Sequence, residues 1–139
     1  MGNRAVITFD KKVGIYLHWN GGRDSVEAFL KYCELKKHRP DDYGIARLAQ
    51  VIGNFFGGTT SVGVSSYNNM DCDNGDNGVY VVENWKITER LFHECAEQDE
   101  YKLLEMLKQI DEKQPEQLFK DKSELTEEDL EVSNVGQTK

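Results

Sequence analysis

The stretch Val13-Gly14-Ile15-Tyr16-Leu17-His18-Trp19-Asn20-Gly21-Gly22-Arg23-Asp24-Ser25 decides the fold. In an extended chain Val13, Ile15, Leu17 and Trp19 point to one face and Gly14, Tyr16 and His18 to the other, which is a strand with one face on a core. Asn20-Gly21-Gly22 breaks that strand, and Asp24 or Ser25 can accept backbone N–H bonds as the N-cap of a following helix. Upstream, residues 4–9 are again rich in β-branched and aromatic side chains. The three residues between the runs, Asp10-Lys11-Lys12, are too few for a crossover helix, so the two strands form an antiparallel hairpin.

Downstream, Val26, Phe29, Leu30 and Cys33 follow the i, i+3, i+4, i+7 pattern of an amphipathic helix. It stops near Lys36-Lys37-His38-Arg39, where cations complement the helix dipole and Pro40 forbids continuation. A second helix opens after Asp41-Asp42, with Ile45, Leu48, Ala49, Ile52 and Phe55 or Phe56 on one side, and closes at Gly57-Gly58. Residues 60–67 read as a strand with Val62 and Val64 inward. Residues 68–78, packed with Asn, Asp and Gly, read as a flexible hairpin connection. Residues 79–82 and 85–92 are strand-like around a tight turn at Glu83-Asn84, or form one bent strand. Residues 94–113 carry Leu103, Leu104, Leu107 and Ile110 at helical spacing.

The fold class is therefore α+β: a four- or five-stranded, mostly antiparallel sheet with two helices on one face and an acidic C-terminal helix. The divisions are a core at 1–92, the acidic helix at 93–114 and a charged tail at 115–139.

The 139 residues carry a formal charge of −8. Residues 1–92 balance 11 Lys and Arg against 11 Asp and Glu, while residues 93–139 hold 6 against 14, so the excess is confined to the C-terminal third. Such a segment repels phosphate backbones and argues against direct nucleic-acid binding; it suits a basic partner surface, or it serves solubility. No apolar run approaches the roughly 20 residues of a membrane span, and the N-terminus lacks the apolar region of a secretory signal, so the expected location is the cytoplasm. Three cysteines, Cys33, Cys72 and Cys95, without a CxxC pair read as reduced thiols.

Chemistry-bearing constellations are sparse. Asn20-Gly21-Gly22-Arg23-Asp24-Ser25 is similar to the S-G-G-x-D-S pyrophosphate loop of ATP-using PP-loop enzymes, with Asn20 in place of the leading serine. Those enzymes mount the loop on a parallel, doubly wound sheet, whereas an antiparallel hairpin makes the glycines a structural corner. The run Asp71-Cys72-Asp73-Asn74-Gly75-Asp76-Asn77-Gly78 offers oxygen ligands but fails the EF-hand register from either Asp71 or Asp73. His18, His38 and His93 are dispersed. No cofactor, metal site or catalytic residue is expected. What remains is a recognition surface of Tyr16, His18, Trp19, Asn20, Gly21, Gly22, Arg23 and Tyr67, because aromatic and arginine side chains supply much of the energy of interfaces. The competing role for Trp19 is a place in the core.

With these residues in view, the chain resembles a group of small phage- and prophage-encoded proteins of unassigned function. The shared features are a hairpin ending in H-W-[DN]-G (His18-Trp19-Asn20-Gly21), a helix, an acidic and aromatic helix start (Asp41-Asp42-Tyr43) leading to Arg47-Leu48, and T-T-x-x-G-[IV]-S (Thr59-Thr60-Ser61-Val62-Gly63-Val64-Ser65). The resemblance covers residues 1–92. It implies a mobile-element accessory protein that binds a host or defence component, an anti-CRISPR-like inhibitor being one form, and it carries no catalytic residues. The second reading is a nucleotide-binding or hydrolysing protein that uses residues 20–25. Oligomeric state is not legible.

Overall fold

The computed structural model describes residues 3–57, 62–94, 97, 98 and 100–119. Its elements are β1 (Ala5–Thr8), β2 (Val13–Leu17), α1 (Arg23–Leu35), α2 (Gly44–Phe56), β3 (Val62–Ser66), a turn of 3-10 helix (Tyr67–Asn69), β4 (Val79–Glu83), β5 (Lys86–Leu91) and α3 (Leu103–Glu112). The five strands form one sheet in the order β3-β2-β1-β4-β5. Three of its four pairings are antiparallel, and β1 runs parallel to β4. The chain is α+β, with β1 and β2 paired as a hairpin in which Ala5 lies opposite Leu17 and Thr8 opposite Gly14.

Alternation along the strands sends Ala5, Ile7, Ile15, Leu17, Tyr80 and Val82 into one core with Val26, Phe29, Leu30 and Cys33 of α1 and with Leu48, Val51 and Ile52 of α2. Leu107 and Ile110 of α3 complete the same cluster, so all three helices pack over that face. α1 is buried nearly all round, Ala28 and Tyr32 included, because the sheet covers one side and α3 another. Val64, expected inward, is 57% exposed: it lies beside Ile15 on the outermost strand, where helix cover runs out.

The Asn/Asp/Gly segment differs from the expected hairpin connection. β3 and β4 are not neighbours; β2 and β1 lie between them, and the pairings make β3 and β4 parallel. Residues 67–78 therefore cross the sheet, and a parallel crossover takes about a dozen residues even without a helix. The crossing lies on the face away from the helices, where Met70 packs over Gly14 and Val6, and where Val6, Thr8 and Val79 are fully buried.

Three boundaries shift. Helix α1 opens two or three residues early, with Gly22 as N-cap and no side-chain cap from Asp24 or Ser25. The β4–β5 turn uses Asn84 and Trp85, both at positive φ (53° and 63°), instead of Glu83-Asn84. Helix α3 begins at Leu103; the described residues between β5 and it run without helix, held to the body by tertiary bonds. At the other boundary, Gly57 ends α2 as expected, at φ 69°. Gly58, Thr59, Thr60, Ser61, Cys95 and residues 120–139 lie outside the described residues. No described helix is long and apolar enough to cross a membrane.

Candidate functional site: the corner between β2 and α1

Leaving β2, the chain passes His18 and Trp19 and turns at Asn20, which takes a left-handed φ of 58°. Asn tolerates this conformation better than most residues, and its side chain fixes the turn by donating from Nδ2 to Ser25 Oγ at 3.1 Å. Gly21 follows in a place that admits no Cβ: one would run into the Asn3 carbonyl and the Ala5 side chain. The Gly21 amide donates to that carbonyl at 2.9 Å, and its own carbonyl accepts from the buried Tyr80 hydroxyl at 2.7 Å. Gly21 and Gly22 are buried, so their contribution is the shape of the backbone.

The start of α1 is closed by the chain itself. The Asp24 amide, one of the four that a helix N-terminus leaves unpaired, donates to Gln98 Oε1 at 3.0 Å, so the cap comes from a residue far along the sequence. Glu97 stands beside it. Its carboxylate accepts from Arg23 at 3.1 Å and pairs with Arg90, while Arg23 Nε donates to Glu27 at 3.1 Å. The Arg90 guanidinium lies 3.7 Å over the Tyr80 ring. Burial works against the Glu97 charge, but the two arginines outweigh it and hold the carboxyl below its ordinary value. Arg23, Glu97, Gln98, Glu100 and Tyr101 line a shallow cleft over this closure. A carboxylate and an amide oxygen thus stand where a phosphate cradle needs open amides and a free cation.

The aromatic part of the corner faces outward. Trp19 is 46% exposed, which settles its place as surface. Its ring meets the His18 imidazole edge-on, with centroids 4.9 Å apart, and His18 Nδ1 and the Tyr16 hydroxyl share a hydrogen bond of 3.0 Å. Partial burial raises the Tyr16 pKa, so the hydroxyl keeps its proton. The result is a row, Tyr16-His18-Trp19, whose outermost ring is braced from behind.

Tyr67 does not belong to this group. Its amide donates to the Lys12 carbonyl, which places it at the opposite end of β2. There its hydroxyl is bonded to Cys72, and burial together with that bond pushes its pKa up to about 12. The residues that close the corner, Glu97, Gln98, Arg90 and Tyr80, carried no local signal, since their contacts span from seven to more than seventy residues of sequence.

The crossing segment is ordered by its own side chains. Asp76 accepts from the Arg4 amide at 3.1 Å and from Arg4 Nε at 2.8 Å, which holds its carboxyl below the ordinary value. Among the described residues no three His, Cys, Asp or Glu side chains gather as a metal site would require. Comparison of the chain with protein-family models, with curated proteins and with solved structures gave no match.

Proposed function

We propose that this chain is a non-enzymatic binding protein, an accessory protein of a phage or other mobile element that associates with a host or defence component, in the manner of an anti-CRISPR inhibitor. The observation that carries the reading is the corner itself: its glycines are spent on a turn, the Asp24 amide and the Arg23 guanidinium are taken up by Gln98, Glu27 and Glu97, and a half-exposed, braced Trp19 is what it offers to solvent. Large, stiff aromatic side chains of this kind bury much area at small entropic cost.

Charge supports a basic partner. Glu94, Glu100, Glu105, Glu112 and Glu116 are all exposed, in the C-terminal third where the chain's negative excess resides. Opposite charge on the partner speeds encounter and fixes orientation.

Affinity capture from a bacterial host lysate, with quantitative mass spectrometry, tests the reading when parent and Trp19→Ala are run side by side. The expected loss is about 2 kcal/mol or more, roughly 30-fold in affinity, with folding unchanged because Trp19 is outside the core. Equal capture by parent and variant rejects Trp19 as the anchor.

A further inference from the structure

The sheet has two edges, and among the described residues only one is guarded. At the outer edge, β5 carries Lys86, Glu89 and Arg90, and the adjacent ladder has a bulge at Val81/Val82. Charges and bulges are the usual means by which an edge strand avoids pairing with another chain. At the other edge β3, Val62-Gly63-Val64-Ser65-Ser66, has no charge and no proline, and its register with β2 is unbroken.

The register identifies the free groups. The Tyr67 amide donates to the Lys12 carbonyl at 2.8 Å, so Lys12 and Tyr67 are a hydrogen-bonded pair of the antiparallel ladder. By alternation Gly14/Ser65 and Tyr16/Gly63 are such pairs too, and the N–H and C=O groups of Val62, Val64 and Ser66 point away from β2. Those of Val62 and Val64 have no backbone partner among the described residues, whereas the Ser66 carbonyl, at the N-cap of the following 3-10 turn, already accepts that turn's first bond. Val64, Ser65 and Ser66 are exposed.

We propose that β3 pairs with β3 of a second copy of this chain, antiparallel about a two-fold axis at Val64, so that two five-stranded sheets become one. Alternating backbone donors and acceptors are matched only by another extended strand. The sequence of β3 suits its own copy: Val62 falls opposite Ser66, Gly63 opposite Ser65 and Val64 opposite Val64, with no like charges facing. On the helix side the two exposed Val64 side chains meet, each with Val13, itself 38% exposed, diagonally behind it. The axis makes the contact isologous and therefore closed, and the guarded β5 edge stops further growth. Two five-residue strands bury less than the roughly 1,200 Å² of standard interfaces, so the dimer is concentration-dependent.

Sedimentation equilibrium of the full chain from about 5 μM to about 500 μM reads this directly, a span that brackets micromolar affinity. The mass is expected to rise from 15.9 kDa toward twice that value. Val64→Pro removes one outward N–H and leaves the β2 ladder intact, since proline is tolerated where an edge N–H faces solvent. Val64→Lys sets two cations against each other across the axis. Both variants are expected to stay monomeric at every concentration with the parent's circular dichroism; should the proline variant fail to fold, the lysine variant decides. A parent that is monomeric throughout, a dimer indifferent to both variants, or a mass growing past the dimer overturns the proposal. So does a monomeric parent whose capture of another protein is lost in the variants, which would give the edge to that protein.

Discussion

Asn74 is 3% exposed and uses every hydrogen-bonding position of its amide. Oδ1 accepts from the amides of Asp76 and Gly78 at 3.1 and 3.0 Å; Nδ2 donates to the carbonyls of Asp71 and Gly78 at 3.0 and 3.3 Å. Composition identifies this stretch as turn-forming, but it does not say which asparagine becomes the hub. Asn74→Ala leaves buried backbone groups unpaired and is expected to cost about 2–3 kcal/mol, measured by urea unfolding. His38 gives a second residue-level expectation. Partial burial, with Arg47 and Lys36 nearby, lowers its pKa from the ordinary value of 6.5. The unfolded chain then binds the proton more readily, so the stability present above pH 6.5 is lost as the pH falls from there through the folded value. Melting temperatures between about pH 7.5 and pH 5 should fall less steeply for His38→Gln than for the parent. Trp85 shows why a turn can be misplaced by one residue. A tryptophan at positive φ is unfavourable locally, yet its ring packs edge-on against Phe9 with centroids 5.3 Å apart, and its Nε1 donates to the His38 carbonyl at 3.0 Å.

At the scale of elements, the hairpin, the apolar stripe of α1 and the stop of α2 at Gly57 were legible, because each rests on a short-range pattern of side chains or on a backbone breaker. Helix α3 was legible by its leucines, but its start was not. Glu97 and Gln98 are held by Arg23, Arg90 and the Asp24 amide, and those tertiary bonds hold the strap outside the helix. The helix is also more than an acidic appendage. Leu107 and Ile110 are fully buried, and the buried Asp111 accepts from the Tyr32 hydroxyl at 2.6 Å and from the amides of Leu118 and Phe119. Leu107→Ala should therefore destabilise the whole molecule by about 2–5 kcal/mol in a single cooperative transition followed by circular dichroism. An independent unfolding step for α3 contradicts its place in the shared core. For the same reason, deleting residues 94–139 would open the core, and partner binding through the acidic side chains is better probed by changing them in place.

On the scale of the whole molecule, the fold class was readable because five short apolar segments and three periodic stretches leave few layered arrangements. The crossing of residues 67–78 was not, since strand order in a sheet is a long-range property that turn residues do not encode. The candidate site was half legible. The row from Tyr16 to Trp19 and the corner at Gly21-Gly22 are local in sequence, whereas Tyr67 lies at the far end of β2 and the closing side chains come from β4, β5 and the segment after β5. That closure is the ground on which association is proposed ahead of phosphate chemistry. Titration calorimetry of the full chain with pyrophosphate and with ATP, at millimolar ligand, tests it most directly. No saturable heat is expected for either ligand; saturable binding that disappears in Arg23→Ala would contradict a closed corner.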